Sequence, residues 1–447
     1  MRICVIGLGK LGAPLAAVLA DSGHEVIGVD ANAGVVDELN RSRTGVEEPG
    51  LADLIDSNKS RIRATTDTAS AVASADATFI VVPTPSTPSG TFSNQFVLAV
   101  IEDVGRGLRL TSPYHVVAVT STMMPGSTDV EIAPALERSS GRTIGASLGL
   151  CYNPEFIALG SVIRDLRHAD VVLIGESDAR AGSVIESVHR TFIRDSTHVR
   201  RMRWVNAEIA KLAVNTFVTT KISYANMLAE LCERVPGADV DIVTEAIGLD
   251  ARIGHRYLRG AVGYGGPCFP RDNAALAAAA AMVGARADLA VATDVINRRQ
   301  AERLATLVRD RVSPGTDRVC VLGLSYKADT PVVENSQGVI LANLLSAAGF
   351  AVTVFDPAAS SHAKSALASS IAVADSLAGC LDASDLAIVA VPWTTFREIP
   401  MLLRAKPRRR LIVVDCWRLL DAAQAVDVAE IVHIGKGLAR EVPAFRT

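Results

Sequence analysis

Residues 7–12 read GLGKLG, directly after the apolar run RICVI and directly before a helical stretch that continues to Leu19. A strand that must turn at once into a helix, with three glycines at that spacing, has few folds open to it. Gly7 permits the tight turn, Gly9 lets a bound pyrophosphate approach the backbone, and Gly12 lets the helix pack closely on the strand. Phosphate charge is then met by the helix N-terminus. The next strand, EVIGVD, ends at Asp30, about 20 residues on, where a carboxylate would accept both ribose hydroxyls of a dinucleotide. That carboxylate would repel a 2′-phosphate, so NAD is expected and not NADP.

Further buried-strand patterns follow: ATFIVVP from Ala77, HVVAVTS from His115, LGLCYNP from Leu148 and VVLIG at 171–175, with helical stretches between them. Such alternation predicts a mostly parallel sheet covered on both faces. Residues 204–235 contain neither proline nor glycine and predict one long helix, with more helix to about residue 310, broken by a loop at Cys268. After Ser313, Pro314 and Gly315 a second alternating unit runs through RVCVLGLSYK, a helix from Ser336, AVTVFDP ending at Asp356, DLAIVAVP and LIVVDCW. The expected class is α/β: two Rossmann-like doubly wound domains joined by a long central helix and a helical connector domain. The expected boundaries are 1–200, 201–312 and 313–447.

A net charge of −3 argues against a nucleic-acid surface. The dense basic cluster of Lys406, Arg408, Arg409 and Arg410 reads as a solvated turn before the strand LIVV. No apolar run reaches the length of a membrane span, and the N-terminus enters a strand with no cleavage site. Seven cysteines stand singly without CxxC spacing, so neither a disulfide framework nor a metal site is expected, and a reducing cytoplasm fits best.

Chemistry concentrates in GYGGPCFPRD, residues 263–272. Cys4, Cys320 and Cys380 sit in apolar stretches, as core thiols do, whereas Cys268 lies among glycines and prolines with Asp272 close behind, a setting that suits a nucleophile. On the long helix Glu208, Lys211 and Asn215 fall at i, i+3 and i+7 and share a face. A solvated stripe with an internal Glu–Lys pair is one reading. The other is an enclosed Lys–Asn pair facing a polar ligand, argued from apolar Ala207, Ile209, Ala210, Leu212, Ala213 and Val214. Lysine and asparagine together make a plausible oxyanion-stabilising pair. Three strand ends add polar groups where open α/β sheets bind ligands: Thr84, Thr122 and Glu155. With NAD and a cysteine nucleophile, one site could oxidise an alcohol to an aldehyde, trap it on Cys268 and oxidise the thiohemiacetal to a thioester, which water hydrolyses.

These residues resemble the UDP-glucose/GDP-mannose dehydrogenase family over nearly the whole chain. GLGKLG, the EPGL of residues 48–51, VPTP, STMMPGST, NPEF, the Lys211/Asn215 helix, DARIGHRYL, GYGGPCFPRD and LGLSYK occur in the family's order. The resemblance implies that Cys268 is the thioester nucleophile, that Lys211 and Asn215 stabilise its oxyanions, and that Asp272 and Thr122 position or activate water, with Glu155 in the same network. It implies a cofactor set of Gly7, Gly9, Lys10, Leu11, Gly12, Asp30, Thr84, Thr122, Glu155 and Arg271. It also implies a nucleotide-sugar set of Phe156, Lys211, Asn215, Arg252, Tyr257, Gly265 and Lys327, with Arg252 supplied by a neighbouring subunit and dimers formed through the long helix. Departures from the family pattern are Leu159, where a second carboxylate is frequent, Glu334, where many members carry arginine, and Met227, where glutamate often stands.

Nucleotide-sugar 6-dehydrogenation is therefore the expected activity, with UDP-glucose the default substrate, a UDP-N-acetylhexosamine the nearest competitor and GDP-mannose behind it. A two-electron β-hydroxyacid dehydrogenase would share the N-terminal fold but has no use for Cys268 or a second nucleotide-type domain. A catalytically silent NAD-binding scaffold would draw support from Leu159 and Glu334 alone. The first proton acceptor stays open between Lys211 and a water held by Asp272 and Thr122.

Overall fold

Apolar runs that alternate with helices produce two open sheets in this computed structural model, which describes residues 1–405 and 410–437. The chain divides into two units, Met1–Ala213 and Val214–Thr447. Lys406, Arg408 and Arg409 of the basic cluster lie outside the described residues. Among the described residues no helix is long and apolar enough to cross a membrane.

The first unit holds β1 (Arg2–Ile6), β2 (Glu25–Val29), β3 (Ile62–Thr65), β4 (Ala77–Ile80), β5 (His115–Val119), β6 (Leu148–Tyr152), β7 (Val171–Glu176) and β8 (His198–Met202). They form an eight-stranded sheet in the order β3-β2-β1-β4-β5-β6-β7-β8. All pairs are parallel except β6 with β7. Each face is buried. Along β1, Ile3 and Val5 enter one apolar cluster with the helix Gly12–Asp21, while Cys4 and Ile6 enter another with the helix Gln95–Leu108. This period-two division explains why the strand reads as a continuous apolar run. The order reverses between β1 and β4, so a ligand crevice opens beyond their carboxyl ends.

The second unit repeats the plan with β9 (Arg318–Leu322), β10 (Ala351–Phe355), β11 (Ala372–Val373), β12 (Leu386–Val389), β13 (Leu411–Asp415) and β14 (Ala429–His433). Their order is β11-β10-β9-β12-β13-β14, parallel throughout. The likeness extends to packing. A Cβ at Gly12 would run into the carbonyl oxygen of Gly7, and one at Gly338 into that of Gly323, each pair joining strand to helix without room for a methyl group.

Helix Trp204–Arg234 begins in the first unit and continues into the second, where Val240–Gly248, Phe269–Met282 and Asp288–Arg309 follow. Within the second unit Arg418 fastens these helices to the sheet. Its side chain is 4% exposed, binds both carboxylate oxygens of Asp241 at 2.8 and 2.7 Å and donates to the carbonyl of Gly260 at 2.6 Å. Glu233 does similar work, accepting from Arg303 and from the amide of Gly435.

Candidate active site

In the first unit the three turn glycines have separable reasons. Gly7 has φ of +93°, where side chains are strained, and Gly12 has no room for a Cβ. At Gly9 a Cβ would meet nothing within 4 Å, so the protein itself does not demand glycine there. Space kept beside a backbone is what a pyrophosphate needs. Lys10 is exposed and Leu11, half-buried, precedes the helix Gly12–Asp21, which has no side-chain cap and no acid in its first turn. Its positive end is left without an answering negative charge from that turn. Asp30 accepts from the amides of Leu8 and Asn32, both at 2.9 Å, which aims the carboxylate across the turn. These groups fit a dinucleotide.

The ends of β4 and β5 are stitched together. Ser121 Oγ donates to the carbonyl of Val82 at 2.6 Å, and Thr84 Oγ1 donates to the carbonyl of Thr122 at 2.6 Å. Beyond β6, Lys211 Nζ donates to the carbonyl of Glu155 at 2.7 Å and lies 4.7 Å from the centroid of the Phe156 ring. The Glu155 side chain is 8% exposed; burial pushes its carboxyl up to about 8, against the pull of the Lys211 ammonium. Behind it stands His189, a residue sequence reasoning missed. Its Nε2 pairs with Asn153 Oδ1 at 2.7 Å and lies 3.9 Å from Glu155 Oε1, and burial lowers the imidazole to about 3. Burial thus favours the neutral form of both groups. Glu48 of the EPGL run accepts from the amides of Gly160 and Ile163 and so holds the far end of the NPEFIALG loop. Leu159 packs against the apolar core of this unit.

The second unit holds the thiol. Cys268 is exposed whereas the other six cysteines are buried. It caps the helix Phe269–Met282, whose N-terminus favours negative charge at the sulfur. Its carbonyl accepts from the amide of Asp272 at 2.8 Å. Asp272 is 1% exposed, and its Oδ2 accepts from Asn215 Nδ2 at 2.6 Å. Oδ1, buried too, has no hydrogen bond among the described residues; Arg271 Nε stands 3.7 Å away. An acceptor oxygen left over on a buried carboxylate is where a water or substrate proton would go.

The loop before Cys268 is fixed from several sides. The Tyr264 amide donates to Asn297 Oδ1 at 2.7 Å and its carbonyl accepts from Asn297 Nδ2 at 3.0 Å, while its hydroxyl donates to Asp294 and accepts from Asn273. A Cβ at Gly265 would collide with the carbonyl of Asn335, and one at Gly266 would stand 2.6 Å from the Tyr326 ring, beside half-buried Lys327. Tyr257, at φ +65°, sets its ring edgewise to Phe269 with centroids 6.4 Å apart. Arg252, with a side chain 88% exposed, bridges Asp250 in its own chain.

The structure thus groups Glu155, Phe156 and Lys211 in one unit and Asn215, Cys268 and Asp272 in the other. Two readings of the long helix need correction. Glu208 makes no pair with Lys211: it is fully buried and accepts from Gly126 and Thr128 instead. Nor is the helix enclosed all round, because Ile209, Ala213 and Val214, read as enclosing, are exposed in the single chain. Among the described residues no cluster of three or more His, Cys, Asp or Glu side chains is placed to hold a metal ion.

Three comparisons bear on this site. The UDP-glucose/GDP-mannose dehydrogenase family matches the chain with its NAD binding domain over residues 1–193, its central domain over 205–299 and its UDP binding domain over 320–422. The UDP-glucose 6-dehydrogenase AglM of Haloferax volcanii is 34% identical over 435 residues, 97% of this chain and 100% of that protein. A GDP-mannose 6-dehydrogenase of Pseudomonas putida is 32% identical over 80% of this chain and 81% of its own. Among solved structures, a UDP-glucose dehydrogenase from the hyperthermophilic archaeon Pyrobaculum islandicum superposes with a TM-score of 0.87 at 33% identity, covering 98% of this chain and 97% of that one.

Proposed function

Because this chain belongs to the UDP-glucose/GDP-mannose dehydrogenase family and is an NAD-dependent nucleotide-sugar 6-dehydrogenase, we propose that it converts UDP-glucose to UDP-glucuronate through a thioester on Cys268. The observation that carries this reading is the one exposed cysteine at a helix N-terminus, four residues before a buried carboxylate with an unused oxygen. The match to a UDP binding domain supports a UDP-sugar.

Gly7, Gly9, Lys10, Leu11, Gly12, Asp30, Thr84, Thr122, Glu155 and Arg271 would hold NAD, which supplies the hydride acceptor for each of two oxidations. The remaining work falls to side chains. As the C6 alcohol becomes an aldehyde, C6 gives up a hydride and O6 a proton. Cys268 Sγ then bonds to C6, and Lys211 and Asn215 donate to the O6 oxyanion. Loss of the second hydride leaves a thioester. Asp272, with Thr122, positions the water whose attack breaks the C–S bond, returns the thiol and releases the carboxylate. Phe156, Gly265, Tyr257 and Lys327 would bind the nucleotide sugar, and Arg252 would reach it from a second copy of the chain. Dimerisation through the long helix, the three-part division at residues 200 and 312, and a cytoplasmic setting belong to the same proposal.

The test is stoichiometry. Purified protein with UDP-glucose should release two NADH per sugar, and UDP-N-acetylhexosamines or GDP-mannose should be turned over far more slowly. Cys268→Ser should lower steady turnover by about a thousandfold or more while NAD still binds. A single NADH per sugar, or undiminished turnover by Cys268→Ser, would remove the thioester from the scheme.

A further inference from the structure

Glu208 is a carboxylate with no exposed surface, on the helix that carries Lys211 one turn later. All its hydrogen bonds go to one short segment. Oε2 accepts from the amide of Gly126 at 2.6 Å, and Oε1 accepts from the amide and the hydroxyl of Thr128 at 2.8 and 2.6 Å. That segment begins at Thr122, whose carbonyl is already held by Thr84. Gly126 turns at φ +92°, and from Thr128 the chain winds one π turn, Thr128–Ile132, before the regular helix Ala133–Ser140. Isolated π turns gather at functional sites because they cost backbone hydrogen-bond geometry that a regular helix keeps.

Burying an ionised carboxylate without a cationic partner is expensive unless every oxygen is satisfied. Among the described residues Glu208 has no ion pair, and the donors that answer it are backbone and hydroxyl groups at the start of a helical segment, where negative charge is favoured. Glutamine could not replace it. Its amide nitrogen would face either the Gly126 or the Thr128 N–H, donor against donor.

We propose that Glu208 is a positioning residue: it fixes the Thr122 segment relative to Lys211, so that the hydroxyl of Thr122 and the ammonium of Lys211 keep one mutual placement through the reaction. The proposal rests on the roles given above to Thr122 and Lys211. Its consequence is specific to one step. If Thr122 helps to place the hydrolytic water, a slack segment slows thioester hydrolysis more than it slows hydride loss.

The experiment uses the full-length enzyme with NAD and UDP-glucose, comparing Glu208→Gln with Thr128→Val, which removes one of the three bonds at nearly constant shape. For Glu208→Gln, kcat should fall about tenfold or more and the NAD dissociation constant should stay within about threefold. Intact mass after rapid quenching should show a UDP-glucuronyl group held on Cys268, and amide exchange should quicken in peptides covering 120–132. Thr128→Val should move each quantity in the same direction by roughly threefold. Unchanged kcat in both variants overturns the proposal, as does a loss of kcat with no adduct and with exchange raised throughout residues 1–213, which would mark a merely structural role. If the wild type gives one NADH per sugar, the four-electron reading fails instead, and local exchange together with kcat still decides whether Glu208 positions the segment.

Discussion

Asp30 and Asp356 each end the second strand of a look-alike sheet, and hydrogen bonding assigns them opposite tasks. Asp356 is 2% exposed and accepts from the amides of Leu324, Ser325, Ala358 and Ala359, from Ser325 Oγ and from Trp393 Nε1, so its oxygens are fully engaged. Asp30, half-buried, accepts from two amides and keeps room for ribose hydroxyls. Asp30→Ala should therefore raise KM for NAD by about tenfold and shrink the NAD/NADP preference, since the repulsion of a 2′-phosphate goes with the charge. Asp356→Ala should leave that preference unchanged and cost roughly 1–3 kcal/mol or more by stranding buried donors, measurable in urea. Both residues were visible in sequence as strand-ending acids; the difference between them was not, because the donors that engage Asp356 come from as far off as Trp393. Glu155 yields a prediction about pH. Its folded pKa of about 8 lies above its ordinary 4.5, so between those values the native state keeps a proton that the unfolded chain has released. Stability linked to Glu155 is present below about 4.5 and is lost as pH rises through about 8. His189, lowered by burial, contributes with the opposite sign, gaining stability as pH rises above about 3 towards 6.5. Glu155→Gln cancels the first effect alone, so urea midpoints of variant and wild type should draw apart as pH rises from 5 to 8.5, with the variant favoured at the alkaline end.

At the scale of elements, the Cys268 loop and the outer strands show what patterning can and cannot carry. Glycines at 263, 265 and 266 mark a loop of close backbone approach, but the surfaces approached, Asn335 and the Tyr326 ring, lie about sixty to seventy positions on, in the segment after the second sheet's first strand. Gly266 also sits at φ +85°. Gly266→Ala must then both strain the backbone and push on Tyr326, which would displace Cys268 two residues later. The expected loss is about a hundredfold in kcat, with stability lower by roughly 1–2 kcal/mol. Alkylation of Cys268 by iodoacetamide in the variant and wild type, followed by mass, checks whether the thiol has moved; equal kcat would show that the loop is not what places it. The strands that the apolar-run rule passes over are β3, β8, β11 and β14. All four lie at the outer ends of their sheets, where one side faces solvent and exposed polar residues such as Arg63, Arg200 and Glu430 replace the continuous apolar run. Glu208 was legible as a polar residue on the Lys211 face, but its partners at Gly126 and Thr128 were not, since nothing in the helix's own spacing points eighty residues back.

At the scale of the whole molecule, the long helix leaves a debt that a single chain does not settle. Phe217, Tyr224 and Leu231, seven residues apart, are 62%, 47% and 57% exposed, and Ile209, Val214 and Met227 extend the same apolar exposure along Trp204–Arg234. Seven-residue spacing places successive side chains on nearly one line of a helix, the arrangement by which two helices cover each other. The proposed dimer would cover this surface, since an identical helix offers a matching one across a twofold axis. Phe217→Glu with Leu231→Glu would set like charges against each other there, and light scattering should show the mass fall to that of one chain, 47.0 kDa. A wild-type mass of 47.0 kDa at micromolar concentration would end the dimer reading at once. In the proposed dimer Arg252, exposed and among the described residues bridged to Asp250 of its own chain, would serve a nucleotide sugar bound by the other copy. Arg252→Ala and Cys268→Ser should each be nearly inactive alone, yet unfolding and refolding them as a mixture should restore activity. Half of the dimers would then be mixed, and one of the two sites in each would combine an intact Cys268 with an Arg252 from the other chain, giving about a quarter of the wild-type rate. If Arg252 instead serves the site of its own chain, no mixed dimer holds a Cys268 and an Arg252 in one site, and the mixture stays as inactive as its parts.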